Sequence, residues 1–120
     1  MISVGTKLIV TDNTGAKEVQ CIRIIKKKRY AYISDKIIVS IKKTISSSKV
    51  KQGEVLTAII VRSKKGINRR NGMCIKFVDN AVVLINKEGG LLGTRIFGVI
   101  PLEIKNKKYS SIISIAKEVI

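Results

Sequence analysis

The side chains that could do chemistry in this sequence are mainly cations. The chain has 24 lysine and arginine residues against eight aspartate and glutamate residues, a formal net charge of +16. Five of the cations lie close together: Arg62, Lys64, Lys65, Arg69 and Arg70. With 45% hydrophobic residues the chain can still form a packed core. This balance favours a polyanionic partner, with nucleic acid first and an anionic membrane second.

Groups suited to catalysis are sparse. The chain has no histidine for acid–base work, and its eight carboxylates are scattered singly, without an evident pair or metal-ligand cluster. Gly89, Gly90 and Gly93 loosely resemble a phosphate-binding loop, but the Gly-Lys-Ser/Thr ending is missing, so we interpret them as turn residues. We expect no enzymatic activity and no cofactor.

The two cysteines, Cys21 and Cys74, lie singly inside apolar, strand-like runs. We predict buried structural thiols, with a disulfide or a reactive thiol as the alternatives. Because no Cys-x-x-Cys pair and no histidine is present, a zinc site lacks ligands, and we expect no metal.

The clustered cations lie between two apolar runs, 55–61 and 81–85, which we predict to be buried strands. Between them, Asn71-Gly72 is the strongest short hairpin signal, because both residues tolerate the positive φ of a type I′ turn. A two-residue turn there places Arg70 opposite Met73 and Asn68 opposite Ile75. We therefore predict a cationic β-hairpin over about residues 62–77 that requires a polyanion to lie against.

Short strands separated by turn clusters indicate a mainly β chain forming one domain over residues 1–120. Further strands are predicted at 7–10, 18–25 and 36–45, the second with Val19, Cys21 and Ile24 pointing inward. The apolar segment 91–101 is broken by glycine and closed by Pro101. This pattern predicts a small antiparallel barrel filled by its own side chains, so recognition must occur on its outside.

The C-terminal part, about residues 102–120, is predicted to be helical. Tyr109, Ile112, Ile113 and Ala116 follow helical spacing, and Asn106 is the predicted N-cap. No apolar run of about 18 residues is visible, so we expect no membrane partner. No secretory signal or Arg-rich presequence is visible either, so we expect the protein to function in the compartment where it is synthesised.

Aromatic residues make up only 4% of the chain, so stacking on single-stranded bases is not expected to dominate. We predict Phe77 and Phe97 in the core, because both lie in apolar runs. Tyr30, beside the basic run 26–29, is the one aromatic residue expected near RNA. The pattern favours recognition of folded RNA through its backbone and shape.

Several blocks of sequence, in order, resemble the universal family of large-subunit ribosomal protein fourteen in its bacterial and organellar form. The likeness runs from Lys7 to Ile120. The blocks that carry it are Val10–Lys17, Arg29–Ala31, Gly53–Gly66, Phe77–Ala81, Gly93–Gly98 and Ile112–Val119. Two loops depart from the family pattern: the loop at 26–28 is shorter and more cationic, and Ser46-Ser47-Ser48 replaces a Pro-Arg-Gly.

The resemblance implies a small closed five-stranded antiparallel barrel with a projecting β-hairpin and short C-terminal helices. It implies a structural constituent of the large ribosomal subunit that binds large-subunit rRNA. It also implies contact with small-subunit rRNA at an intersubunit bridge, with large-subunit proteins three and nineteen, and with a ribosome-silencing factor. Thr94, Arg95 and Ser114 would face the small subunit or that factor.

We expect the cations of the hairpin and of the neighbouring loops to contact rRNA. The predicted rRNA-binding residues are Arg23, Lys27, Lys28, Arg29, Lys49, Lys51, Arg62, Lys64, Lys65, Asn68, Arg69 and Arg70.

Two further questions remain open at the level of the sequence. A free-standing RNA-binding barrel, such as an RNA chaperone, is the alternative to a ribosomal protein. Heavy use of Ile, Lys, Asn and Ser hints at an AT-rich coding genome. We therefore expect an organellar ribosome, mitochondrial first, with the bacterial cytoplasm or a plastid as alternatives.

Overall fold

The computed structural model describes residues 2–25, 29–45, 49–86, 89–102, 104 and 110–120. Within these ranges the chain forms nine strands and one short helix. The strands are β1 Lys7–Val10, β2 Ala16–Ile24, β3 Lys36–Thr44, β4 Val55–Arg62, β5 Ile67–Asn68, β6 Cys74–Ile75, β7 Ala81–Ile85, β8 Ile96–Ile100 and β9 Ala116–Val119, and the helix is α1 Ser110–Ile115.

Five strands close into a barrel in the order β1-β2-β3-β4-β7, which confirms the predicted mainly β fold. Four of the five pairings are antiparallel, but β1 and β7 pair parallel, with Ile9 opposite Ala81 and Val10 opposite Val82. The predicted closed five-stranded antiparallel barrel is therefore confirmed, with this parallel pair as its one departure from antiparallel pairing. The reason is geometric: when five strands alternate in direction around a closed ring, the first and the last must run the same way.

Register shifts bend the longer strands around the barrel. In the pairing of β2 with β3 they fall near Glu18 and between Cys21 and Arg23, and in the pairing of β4 with β7 between Ile60 and Arg62. Such irregularities increase local twist and allow a small sheet to close.

The core fills the inside of the barrel with aliphatic side chains. The predicted inward residues of β2, Val19, Cys21 and Ile24, are all buried. Every residue of β7 is buried, and Leu91 and Leu92 pack against the core from outside the barrel strands. The prediction of a filled interior agrees with the complete burial of large side chains such as Ile37 and Leu84.

The C-terminal segment forms a helix and then a strand. Helix α1 ends at Ile115, and β9 pairs parallel with β8, with Ile96 opposite Ala116 and Ile100 opposite Val119. The predicted helix is therefore wrong beyond residue 115, because pairing with β8 determines the backbone there. The predicted cap, Asn106, and Tyr109 lie outside the described residues.

The strand directions give the barrel two distinct ends. At the hairpin end lie the N-terminal segment 2–6, the described residues 25 and 29–35 of the β2–β3 connection, and residues 63–80. At the loop end lie residues 11–15, 45 and 49–54, and residue 86, which follows β7.

Candidate nucleic-acid interface

The hairpin consists of β5 and β6, which pair Ile67 with Ile75 and Asn68 with Cys74. The Arg69 amide donates to the Met73 carbonyl at 2.8 Å, and the Gly72 amide donates to the Arg69 carbonyl at 3.0 Å. Gly72 has a φ of 87°. These features define a three-residue loop, residues 70–72, in which a type I turn is followed by a left-handed glycine.

The predicted two-residue type I′ turn is therefore wrong. That turn requires a positive φ at Asn71, but Ser34 is the only non-glycine residue with a positive φ among the described residues. The Asn71 side chain instead accepts a hydrogen bond from the Met73 amide at 3.1 Å, which stabilises the wider turn. The extra loop residue shifts the register by one, so Asn68 faces Cys74 rather than Ile75.

Cys74 is exposed because β6 lies on the hairpin, outside the barrel. The prediction of a buried thiol is thus confirmed for Cys21 and wrong for Cys74. Both thiols are free, so the alternative of a disulfide between them does not apply.

Several hairpin cations present their side chains to solvent. Lys64, Lys65 and Arg70 are exposed, as is the predicted polar contact Asn68. Lys76 is also exposed and is missing from the predicted rRNA-binding residues. Its position in the cationic stretch just beyond the turn could have identified it from the sequence. The sequence holds no carboxylate between Glu54 and Asp79, so nothing on the hairpin itself neutralises these charges.

Arg69 is half-buried and binds the C-terminal segment. Its Nη2 donates to the main-chain oxygen of Ile120 at 2.5 Å, and the Ile120 amide in turn donates to the Ile100 carbonyl at 2.9 Å. The hairpin is thereby attached to the sheet of β8 and β9, so Arg69 contributes to the placement of the hairpin as well as to its charge.

Arg62 lies at the base of the hairpin, with only 12% of its side chain exposed. Its Nε is 3.0 Å from Oδ1 of Asp79, whose side chain is 31% exposed. The two atoms are buried and not aligned as a hydrogen bond, so the contact is an ion pair. Gly98 packs directly against the guanidinium, where a Cβ atom would clash.

Further predicted cations surround the hairpin end. Arg23 and Arg29 are exposed, while Lys27 and Lys28 lie outside the described residues. The Lys65 ammonium lies 5.4 Å from the centre of the Tyr32 ring, so the start of the hairpin lies against the β2–β3 connection. The hairpin end therefore combines two of the predicted cationic segments into one surface.

Lys49 and Lys51 are exposed at the opposite, loop end of the barrel. The Lys49 amide donates to the Thr14 carbonyl at 2.8 Å, and the Lys51 amide donates to the Glu54 carboxylate at 3.0 Å. Those of the predicted rRNA-binding residues that the structure describes are thus divided between the two ends of the barrel.

The turn after β1 positions Thr94 and Arg95. The Asn13 Oδ1 accepts the amides of Thr94 and Arg95 at 2.7 and 3.2 Å, and the Asn13 amide nitrogen donates to the Thr94 hydroxyl at 2.8 Å. The preceding Asp12 is itself held in place, because it accepts the Thr14 hydroxyl at 2.6 Å and the Leu84 amide at 2.9 Å. Thr94 and Arg95 are exposed on a rigidly supported loop.

A cleft beside this loop is lined by Arg95, Ile96, Phe97 and Ile115. Ser114 precedes Ile115 in the sequence and is exposed, as are Thr94 and Arg95. Phe97 is 53% exposed, which makes its prediction as a core residue wrong: β8 buries Ile96 and Ile100 and turns Phe97 outward. Phe77 is partly buried and packs against the core.

Other features give no sign of a reactive centre in the part of the chain that the structure describes. Burial raises the pKa of the Cys21 thiol. No three histidine, cysteine or carboxylate side chains of the described residues come together as a metal site. The one helix in the described ranges is too short to cross a membrane.

The whole chain, residues 1–120, matches the model of the family described as Ribosomal protein L14p/L23e.

Proposed function

The chain belongs to the ribosomal protein L14p/L23e family, and from this premise we propose that its hairpin binds large-subunit rRNA. The family is a structural constituent of the large ribosomal subunit rather than an enzyme. Membership therefore favours a ribosomal protein over a free-standing RNA chaperone.

The observation that carries the proposal is the uncompensated charge of the hairpin. Lys64, Lys65, Arg70 and Lys76 are exposed on a segment without a carboxylate. The two strands are only two residues long each, and a hairpin of that size gains little stability of its own in water. RNA phosphates would both neutralise the cations and order the hairpin, with release of counterions.

The remaining predicted residues have supporting roles in this proposal. Arg23 and Arg29 extend the cationic surface of the hairpin end, and Asn68 adds a polar contact. Lys27 and Lys28, outside the described residues, remain proposed rRNA contacts. Arg62 and Arg69 hold the hairpin in position through Asp79 and Ile120. Lys49 and Lys51 form a second rRNA contact at the loop end.

The salt dependence of rRNA binding tests the hairpin directly. The double variant Lys64→Gln/Arg70→Gln should weaken binding and lower the slope of log affinity against log salt by about two units, about one per lost phosphate contact. The matched control, Lys17→Gln/Lys42→Gln, removes two exposed cations from the barrel wall. Equal slopes for the two double variants would refute the assignment of binding to the hairpin.

The same proposal assigns the surface around Thr94, Arg95 and Ser114 to the intersubunit side. Its support is the rigid attachment of Thr94 and Arg95 to Asn13, together with the exposed Phe97 beside them. Small-subunit rRNA, a ribosome-silencing factor and the large-subunit proteins three and nineteen are the proposed neighbours. Arg95→Ala should reduce subunit joining in sucrose gradients without releasing the protein from the large subunit; unchanged joining would contradict the assignment.

We further propose that the particle is an organellar ribosome, mitochondrial first, and that residues 1–120 act as one domain. The composition rich in Ile, Lys, Asn and Ser supports the organellar ribosome. The match of the family model to residues 1–120 supports the single domain. Cofractionation of the tagged chain with cytosolic rather than organellar ribosomes would refute the organellar assignment. Proteolysis into stable, separable fragments would refute the single domain.

A further inference from the structure

Two exposed tyrosines flank a buried alanine in the β2–β3 connection, at the hairpin end. Tyr30 is 38% exposed and Tyr32 is 42% exposed, whereas Ala31 between them is fully buried. Ala31 exchanges main-chain hydrogen bonds with Ile2, at 3.0 and 2.6 Å, as in a short piece of antiparallel sheet. Because alternate residues of extended backbone point to opposite sides, both rings lie on the solvent side.

Each ring has a cation beside it. The Lys65 ammonium is 5.4 Å from the centre of the Tyr32 ring, and the Arg29 guanidinium is 5.9 Å from the centre of the Tyr30 ring. Lys65 belongs to the hairpin and Tyr32 to the β2–β3 connection, so the pair joins two separate segments of the chain. Lys64 adds a further exposed charge next to Lys65.

The backbone that carries Tyr32 is held firmly. The Tyr32 amide donates to the Asp35 carboxylate at 2.9 Å, and the Asp35 amide donates back to the Tyr32 carbonyl at 3.0 Å. Between them, Ser34 is buried and has a φ of 73°, a left-handed conformation that is rare outside glycine. Its amide donates to the Ile60 carbonyl of β4 at 2.7 Å. Such local strain persists only where the surroundings impose it, and it clusters at binding sites.

We propose that Tyr30 and Tyr32 form a stacking site for unpaired nucleotides of a folded RNA. An aromatic ring accepts any base on its π-face, and the adjacent Arg29 and Lys65 are placed to neutralise the phosphates on either side of that base. The site rests on the proposed RNA-binding function and adds to it the class of RNA element recognised: a bulge or loop rather than a continuous duplex. It revises the expectation that stacking plays no leading role in this chain.

A fluorescence experiment tests the site, because the sequence contains no tryptophan and Tyr32→Trp introduces a single reporter. The probes are an RNA stem with two bulged adenosines and the same stem fully paired. Stacking should quench the emission of the introduced tryptophan with the bulged RNA and leave it nearly unchanged with the paired one. Lys42→Trp, exposed on β3 of the barrel wall, is the control reporter and should respond to neither RNA.

Affinities measured with the same RNAs provide the second readout. Tyr32→Leu should weaken binding of the bulged RNA about tenfold and leave the paired RNA unaffected, because the loss of one base–aromatic contact is confined to the bulge. Tyr32→Phe keeps the ring and should bind both RNAs as the unmodified protein does.

The outcomes separate this inference from the function on which it rests. If both RNAs bind in a salt-dependent way, but the emission of the Tyr32→Trp variant does not distinguish them and Tyr32→Leu affects them equally, the stacking site is overturned and the proposed function stands. If the unmodified protein binds neither RNA, the proposed function fails and the stacking site with it.

Discussion

At the scale of single residues, Arg62 shows how a charge can serve the architecture of a binding surface. Its guanidinium is largely withdrawn from water between Asp79 and Gly98, at the junction of barrel and hairpin. A charge in such a place requires a partner, because desolvation without one is costly. Arg62 and Asp79 therefore fix the direction in which the hairpin leaves the barrel.

Replacing Asp79 with asparagine should expose the dependence of Arg62 on its partner. Asp79→Asn keeps the shape but leaves the Arg62 charge uncompensated, and should lower the free energy of unfolding by about 2 kcal/mol. The control is Glu18→Gln, whose carboxylate lies 3.8 Å from Lys43 and 4.0 Å from Lys7 at the surface, and which should cost less than about 0.5 kcal/mol. If denaturant titrations showed the same loss of unfolding free energy for both variants, the burial of Arg62 would not make its ion pair with Asp79 more important than a surface pair.

The two thiols should differ sharply in reactivity. Burial raises the pKa of Cys21 and removes it from solvent, whereas Cys74 is exposed on the hairpin. A thiol reagent at neutral pH should modify one cysteine of the native protein quickly and the second only on unfolding. Mass spectrometry can follow the modification of each cysteine. Rapid modification of both cysteines in the native protein would contradict the buried position of Cys21.

The raised pKa of the Cys21 thiol also predicts how the stability of the fold changes with pH. The folded state favours the protonated Cys21 thiol, so its contribution to stability is fully present below the ordinary thiol pKa of about 8.5 and is lost as pH rises through the raised value. Cys21→Ala should remove this alkaline loss from the pH dependence of unfolding. If the Cys21→Ala variant lost the same amount of stability at alkaline pH, groups other than Cys21 would be responsible for that loss.

Alternation in the sequence predicts which residues of a paired strand face the core, as Val19, Cys21 and Ile24 show. It fails for Cys74 and Phe97, which have apolar neighbours but lie on two-stranded sheets outside the barrel. Burial of those residues depends on what covers the sheet, and no local pattern contains that information.

At the scale of elements, the loop of the hairpin depends on the conformation of Gly72. The left-handed conformation of Gly72 completes the three-residue loop and sets the register of β5 against β6. An added Cβ at Gly72 would meet no neighbouring atom within 4 Å, so any cost of substitution is one of backbone conformation alone.

Gly72→Val should therefore disturb the hairpin without disturbing the barrel. A β-branched residue resists positive φ by about 1–2 kcal/mol, whereas Gly72→Asn should be tolerated because asparagine accepts this conformation. Hydrogen exchange of the Arg69 amide, bonded to Met73, should speed up in the valine variant and not in the asparagine variant. Equal protection in both would mean that the turn does not require a left-handed residue.

The predicted elements are correct where a local apolar run forms a barrel strand, and they fail where a single residue or a strand distant in sequence determines the structure. Strand β1 agrees residue for residue with its prediction, and β7 likewise. The Asn-Gly pair correctly marks a hairpin, but the register depends on whether two or three residues form the loop. Ile112 and Ile113 fit a helix, yet Ala116 pairs with Ile96, which lies 20 residues earlier in the chain. Pairing with a distant strand is invisible to local periodicity.

At the scale of the whole molecule, the barrel acts as a rigid spacer between two cationic ends. The hairpin end carries Arg29, Lys64, Lys65 and Arg70, and the loop end carries Lys49 and Lys51. Charge alone predicted a polyanionic partner, and the family match places the chain in the large ribosomal subunit. The division of the cations between two ends required the strand order, because residues 49 and 64 are close in sequence and lie at opposite ends of β4.

The central claim, that the hairpin lies against large-subunit rRNA, can be tested with the chain's own chemistry. Cys74 is the exposed thiol, so an iron–EDTA reagent attached to the native protein should label the hairpin and spare the buried Cys21. After incorporation into large subunits, radicals generated at Cys74 should cut large-subunit rRNA at a few defined positions, and Cys74→Ser treated identically should give none. Incorporation without any site-specific cleavage would place the hairpin away from rRNA and contradict the account.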